Sequence, residues 1–268
     1  MKFELIFNDA LEYTRETFIG HWGRWLIFII LGLPFSLIRF VVDPGKIITG
    51  ATIHWDLIPW GSIAILVVVG IFASFFISGY MVRIYRGVKP APDFANWASL
   101  FIDGLKLDIV MFVWFLPAIL LMLLLMALGL GGILLPGILG GIGNTLAFIL
   151  AVIILVIAAL VLLIIAALYV TMGAVRFART GSMVEGLRYS ALSEIIRRMG
   201  WGNYILALIF MAVVSFFFSL IVSIPAVIPY FGWIIPVCLS PLLTVFTARY
   251  FMQVYEAGEA PPPATPAP

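Results

Sequence analysis

Long apolar runs alternate with short polar stretches along the whole chain. The runs cover 25–42, 58–82, 109–130, 145–175, 204–228 and 233–251. Each is long enough to cross a hydrocarbon core of about 30 Å as a helix. Pro34 interrupts the first run, and Arg39 stands near its far end, where its side chain can snorkel to the interface. The fourth run would rise about 46 Å at 1.5 Å per residue, so it must tilt or project beyond the bilayer.

Between the runs, polar positions follow a helical period. The stretches "FNDALEYTRETFIGHWGRW", "DFANWASLFIDGLK" and "SMVEGLRYSALSEIIRRMG" each open a pair of runs. In the second, Phe94, Trp97, Ala98, Phe101 and Leu105 form an apolar stripe; in the third, Val184, Leu187, Ala191, Ile195 and Met199 do. Ser182 and Glu185 have capping-box spacing, and Gly200 is a natural stop. Such helices lie in the headgroup plane.

A weak internal repeat runs through the same segments. "VRIYRG", "VRFARTG" and "ARYF" close the second, fourth and sixth runs. Ser74, Ser78 and Arg83 correspond to Ala167, Thr171 and Arg176, and to Ser240, Thr244 and Arg249. The fragments "DALEY", "DGLKL" and "EGLRY" also occupy comparable places. The expected fold is all-α and integral to the membrane: six transmembrane helices as three hairpin repeats, each preceded by a cytoplasmic interfacial amphipathic helix. The units are about 1–87, 88–181 and 182–255, and the Pro/Ala-rich tail 256–268 is expected to be disordered. The Gly-rich tip at 129–144 reads as a simple reversal or as a re-entrant loop.

Composition agrees with a lipid environment. The chain of 268 residues is 64% hydrophobic and 10% charged, against about 25% charged in soluble domains. Basic residues orient it. Only Arg39 and Lys46 fall on one side; Lys2, Arg15, Arg24, Arg83, Arg86, Lys89, Lys106, Arg176, Arg179, Arg188, Arg197, Arg198 and Arg249 fall on the other. The positive-inside rule then predicts a multi-pass protein of the cell membrane with both termini cytoplasmic. Glu4, Asp9, Glu12 and Glu16 before the first run do not fit a cleavable signal. A net charge of +2 gives no reason to expect nucleic acid. The expected partners are membrane lipid and a protein at the cytoplasmic face.

Candidate chemistry is sparse. Cys238 stands alone, and His21 and His54 lie on opposite sides in this topology, so no metal site, catalytic set or cofactor is expected. "HWD" at 54–56 suits an interfacial anchor better than a metal or catalytic pair. No Asp, Glu, Lys or His lies deep in a run, where a charge costs roughly 2.5–3.5 kcal/mol. Gly70, Ser74 and Ser78, then Ser215, Ser219 and Ser223, then Ser240 and Thr244, with Thr171, read as helix-packing stripes or as a polar path between helices. Arg83, Arg86, Arg176, Arg179 and Arg249 are the candidate interface residues. A ring with Asp103, Asp108 or Glu185 is expected for Arg83 and Arg176, and simple anchoring at a helix end for Arg249.

The segments "SGYMVRIYRG", "FANWASLFIDGLKLDIV", "VRFARTGSMVEGLRYSALSEIIRRMGWGNYILAL" and "TARYF" together resemble the mainly archaeal multi-pass membrane proteins catalogued as domain of unknown function 4013. The resemblance covers about residues 5–255. It implies an archaeal-type cell membrane and brings no catalytic residue, substrate or cofactor. The expectation for function is a non-enzymatic scaffold or accessory membrane component; the alternative is a transporter or channel, with an apolar or lipid solute as the candidate cargo.

Overall fold

The computed structural model describes residues 2–49, 52–134, 146–224, 228 and 232–259. The tip at 129–144 and the tail beyond Glu259 fall largely or wholly outside these residues. Helices dominate: α1 Phe3–Phe18, α2 Trp22–Val41, α3 Pro44–Ile47, α4 Trp60–Tyr85, α5 Trp97–Leu134, α6 Leu146–Thr180, α7 Met183–Gly186, α8 Tyr189–Met199, α9 Trp201–Ser223 and α10 Ile234–Glu259. Six of them, at 22–47, 60–85, 97–128, 149–180, 201–223 and 234–259, are long and apolar enough to cross a membrane. Among the described residues, strand pairing is confined to a short clip after α3. There β1 Ile48–Thr49 pairs antiparallel with β2 Thr52–Ile53.

Two expectations about the polar segments need correction. The second segment is not a separate interfacial helix: α5 runs unbroken from Trp97 into the membrane-length helix. Its fully buried positions are Leu100, Gly104 and Leu107; of the predicted stripe, Phe94 stacks on Tyr80 and Phe101 on Phe72, while Trp97 is 45% exposed. The third segment is broken into α7 and α8 at Leu187–Arg188. Val184 is 74% exposed, and Leu192, Ile195, Ile196 and Met199 form the buried face of α8. The last helix also continues four residues past the expected limit, to Glu259.

The chain divides into two compact units, 1–107 with 193–268, and 108–192. In the first, α10 is central and packs against α1, α2, α4 and α9. Its membrane-length window is 39% buried, against 6% for the windows at 22–47 and 60–85. A water-soluble core would bury far more of such helices; here the outward apolar surface is left for lipid. Burial concentrates at the arginine-bearing ends. Tyr80, Val82 and Ile84 are buried in α4, and Val245 through Tyr255 mostly so in α10.

Helix α1 lies on this core by one face, Ile6, Ala10, Tyr13, Thr14, Thr17 and Phe18, with Glu4, Glu12 and Glu16 exposed. The two buried threonines donate to carbonyls one turn back, Thr14 to Ala10 and Thr17 to Tyr13, each at 2.7 Å. Their hydroxyls are therefore satisfied without leaving the helix. Helices α4 and α5 touch backbone to backbone. A Cβ on Gly104 would stand 1.7 Å from the Phe75 carbonyl oxygen, and one on Gly79 1.9 Å from that of Leu100.

In the second unit, α5, α6, α7 and the start of α8 pack around Trp114. Its indole donates to the Gly186 carbonyl at 3.1 Å and stacks on Tyr169 at 5.5 Å between ring centres. A Cβ on Gly186 would lie 2.9 Å from the Gly173 carbonyl oxygen, so α7 and α6 also meet at small residues.

Candidate functional site

Three acids at the start of "DALEY", "DGLKL" and "EGLRY" each meet an arginine. Asp9 on α1 accepts from Arg249 Nε at 2.7 Å, from Lys89 Nζ at 2.6 Å and from the Gln253 amide. Asp103 on α5 accepts from Arg86 Nη1 at 2.8 Å. Glu185 on α7 accepts from Arg176 through both Nε, at 3.0 Å, and Nη2, and from Arg188 Nη1 at 3.0 Å. In each case the next residue is small and buried: Ala10, Gly104, Gly186. A small side chain there lets the acid-bearing helix approach the arginine-bearing one closely enough for the ion pair to form.

The Asp9 cluster is the most enclosed. Arg249 is 4% exposed and lies 4.7 Å from the centre of the Tyr13 ring. The Tyr13 hydroxyl donates to the Val88 carbonyl at 3.1 Å. One aspartate thus ties α1 to α10 and to the stretch after α4. Partial burial pushes the Asp9 carboxyl up, but the hydrogen bonds from Arg249 and Lys89 outweigh it and hold the pKa below the ordinary value. Burial pushes the Tyr13 phenol up to about 12. An open cleft of about 440 Å³ above Asp9 is lined by Lys2, Lys89, Arg249, Gln253 and Glu256.

Around Asp103 the division of labour differs from the expected ring. Arg83 grips main chain, donating to the carbonyls of Asp93 at 2.8 Å and Ala95 at 2.6 Å. Its neighbour Arg86 takes the carboxylate. Arg24 meets the Asp93 side chain at 2.7 Å, so residues 93–95 are held from two helices. Arg176 does pair with Glu185, and the hydrogen bonds from Arg176 and Arg188 lower the Glu185 pKa. That engagement explains why the capping box fails. The carboxylate that would reach back to Ser182 is held by Arg176, and the Ser182 N–H instead donates to Thr180 Oγ1 at 3.3 Å. Arg179 is half-buried one turn beyond Arg176.

Arg249 is the clearest correction. Expected to anchor a helix end, it is instead the most buried of the candidate arginines. The residue that decides this is Gln253, one turn on, which shares Asp9 with it. The sequence carried the signal, since Asp9 heads the same fragment as Asp103 and Glu185.

The small and hydroxyl residues are dispersed. Gly70 packs on Phe35, whose ring would lie 2.8 Å from a Cβ placed there. Ser74, Ser223, Ser240 and Thr244 donate to carbonyls of their own helices. Ser219 is exposed, Ser78, Ser215 and Thr171 are half-buried. Among the described residues no three His, Cys, Asp or Glu side chains are grouped to hold a metal. Trp25 Nε1 donates to the Cys238 carbonyl at 2.6 Å, a tie between α2 and α10 that sequence spacing did not reveal.

A family profile described as "Protein of unknown function (DUF4013)" matches residues 62–227. The chain belongs to this family. The matched region takes in Arg83, Arg86, Asp103, Arg176 and Glu185, and excludes Asp9 and Arg249. Comparison with curated proteins and with solved structures gives no match.

Proposed function

We propose that this DUF4013 protein is a non-enzymatic scaffold or accessory component of the cell membrane, built from three related hairpin units. Its arginine-bearing side faces the cytoplasm with both termini, and that side engages lipid headgroups or a protein partner. The observation that carries this reading is the recurrence of one clamp: acid, small residue, then an arginine in or just after a hairpin helix, at Asp9 with Arg249, Asp103 with Arg86 and Glu185 with Arg176. Clamps of this kind fix helices in place. The lowered pKa values of Asp9 and Glu185 suit permanent ion pairs rather than proton exchange near neutrality.

The test is purification of the full chain in mild detergent, followed by reconstitution in liposomes with a panel of ions and amphiphiles. The proposal expects co-purifying protein and no flux. Robust flux of any solute would replace it with the transporter reading.

A further inference from the structure

An apolar cavity of about 690 Å³ opens beneath α1, within the range of about 300–1,000 Å³ typical of small-molecule sites. Phe7 and Phe18 of α1, Trp25 of α2, Phe218 of α9, and Leu243 and Phe246 of α10 form its walls. Besides Arg15 at the rim, two polar side chains line it, and both are already engaged. The Thr14 hydroxyl donates to the Ala10 carbonyl at 2.7 Å. The Trp25 N–H donates to the Cys238 carbonyl at 2.6 Å. Nothing inside remains to satisfy a polar solute or a water, and burying either there is unfavourable. The interior selects hydrocarbon.

The rim selects charge. Arg15 borders the cavity and is exposed. Unlike Arg24, Arg86, Arg176 and Arg249, it makes no ion pair or side-chain hydrogen bond with the described residues. Glu12 and Glu16 flank it on α1 without pairing with it. A guanidinium with free donors at the mouth of a hydrocarbon slot is a phosphate seat.

We propose that this cavity holds an acyl or isoprenoid chain of a membrane phospholipid whose anionic headgroup rests on Arg15. The proposal rests on the membrane-spanning reading, since lipid must be the surrounding medium. Residues 260–268 are no competitor: they are only Ala, Pro and Thr, with no side chain large enough to fill an aromatic-lined slot.

Native mass spectrometry of the full chain in neutral detergent tests this, with phosphatidylglycerol and phosphatidylcholine of identical chains as probes. One phosphatidylglycerol should be retained per chain. Arg15→Gln should weaken it about five-fold, the worth of one basic residue beside an anionic surface, and erase the preference over phosphatidylcholine. Val214→Trp, which fills the slot from α9, should release both lipids; Leu243→Phe is a milder filling should that variant melt early. The proposal is overturned if both filling variants keep the lipid, if Arg15→Gln leaves the preference intact, or if a second copy occupies the slot as a dimer that lipid does not displace. Carbonate washing of membranes separates the two levels. Release of the wild-type chain would overturn the membrane reading and this proposal together; retention with unchanged lipid binding in the variants would overturn this proposal alone.

Discussion

Arg249 on α10 and Asp9 on α1 are 240 residues apart in sequence and 2.7 Å apart in space. Among the described residues, the pair joins the first helix to the last. Arg249 is 4% exposed while the Asp9 carboxylate keeps a third of its surface, so a nearly buried cation depends on a partly wet anion. Removing the anion would leave that cation uncompensated, the costly half of breaking such a pair.

Asp9→Asn should therefore destabilise the protein by about 2–3 kcal/mol, below the 3–5 kcal/mol of a fully buried pair because Asp9 is partly hydrated. Arg249→Lys should cost about 1 kcal/mol, since it keeps the charge but loses the planar fork and its stacking on Tyr13. Thermal melting in detergent checks both, and a silent Asp9→Asn would refute the clamp.

The pH dependence has a definite sign. Asp9 and Glu185 have depressed folded pKa values, so their contribution is present above the unfolded carboxylate pKa of about 4 and is lost as pH falls through the folded values. Tyr13 is raised to about 12, so its contribution is present below the unfolded pKa of about 10 and is lost between about 10 and 12. The melting temperature should be level from pH 5 to 9 and fall outside that window. Asp9→Asn should blunt the acid limb; an unchanged acid limb would contradict the assignment.

Two glycines in membrane-length helices should respond oppositely to alanine. Gly104→Ala drives a methyl against the Phe75 carbonyl, and should cost at least the 1–3 kcal/mol of ordinary overpacking, because backbone cannot rotate aside. Gly61→Ala meets nothing within 4 Å, and should be neutral or stabilising by up to about 1 kcal/mol. Equal melting of the two variants would show that α4 and α5 do not touch.

Orientation is open to direct labelling. With Asn96 and Ser193 replaced by cysteine, an impermeant thiol reagent outside intact cells should fail to react, and with Thr52→Cys it should react. Reaction at position 193 from outside would invert the proposed topology.

The six membrane-length helices were legible because hydropathy alone marks them, and their arginine-rich ends because charge does. What composition could not show was how the polar segments join the spans. The stripe of Phe94, Trp97, Ala98, Phe101 and Leu105 made 93–106 look like a separate interfacial helix. With Arg86 on Asp103, and no breaker before Pro117, the helix continues instead. The packed face was legible in part: Phe94 and Phe101 do stack on Tyr80 and Phe72, but the closest backbone contact is built on Gly79 and Gly104, which hydropathy ignores. Asp9 was visible in "DALEY" as the counterpart of Asp103 and Glu185, yet its partner lay 240 residues away, beyond any local rule.

The central claim is that one clamp recurs three times. Double-mutant cycles on Asp9/Arg249, Asp103/Arg86 and Glu185/Arg176, read as melting temperatures in detergent, test it most directly. With Asn or Gln for the acids and Gln for the arginines, each double variant is predicted to melt close to its less stable single variant. Strictly additive losses at all three pairs would show that the ion pairs are incidental, and the recurring clamp would fall with them.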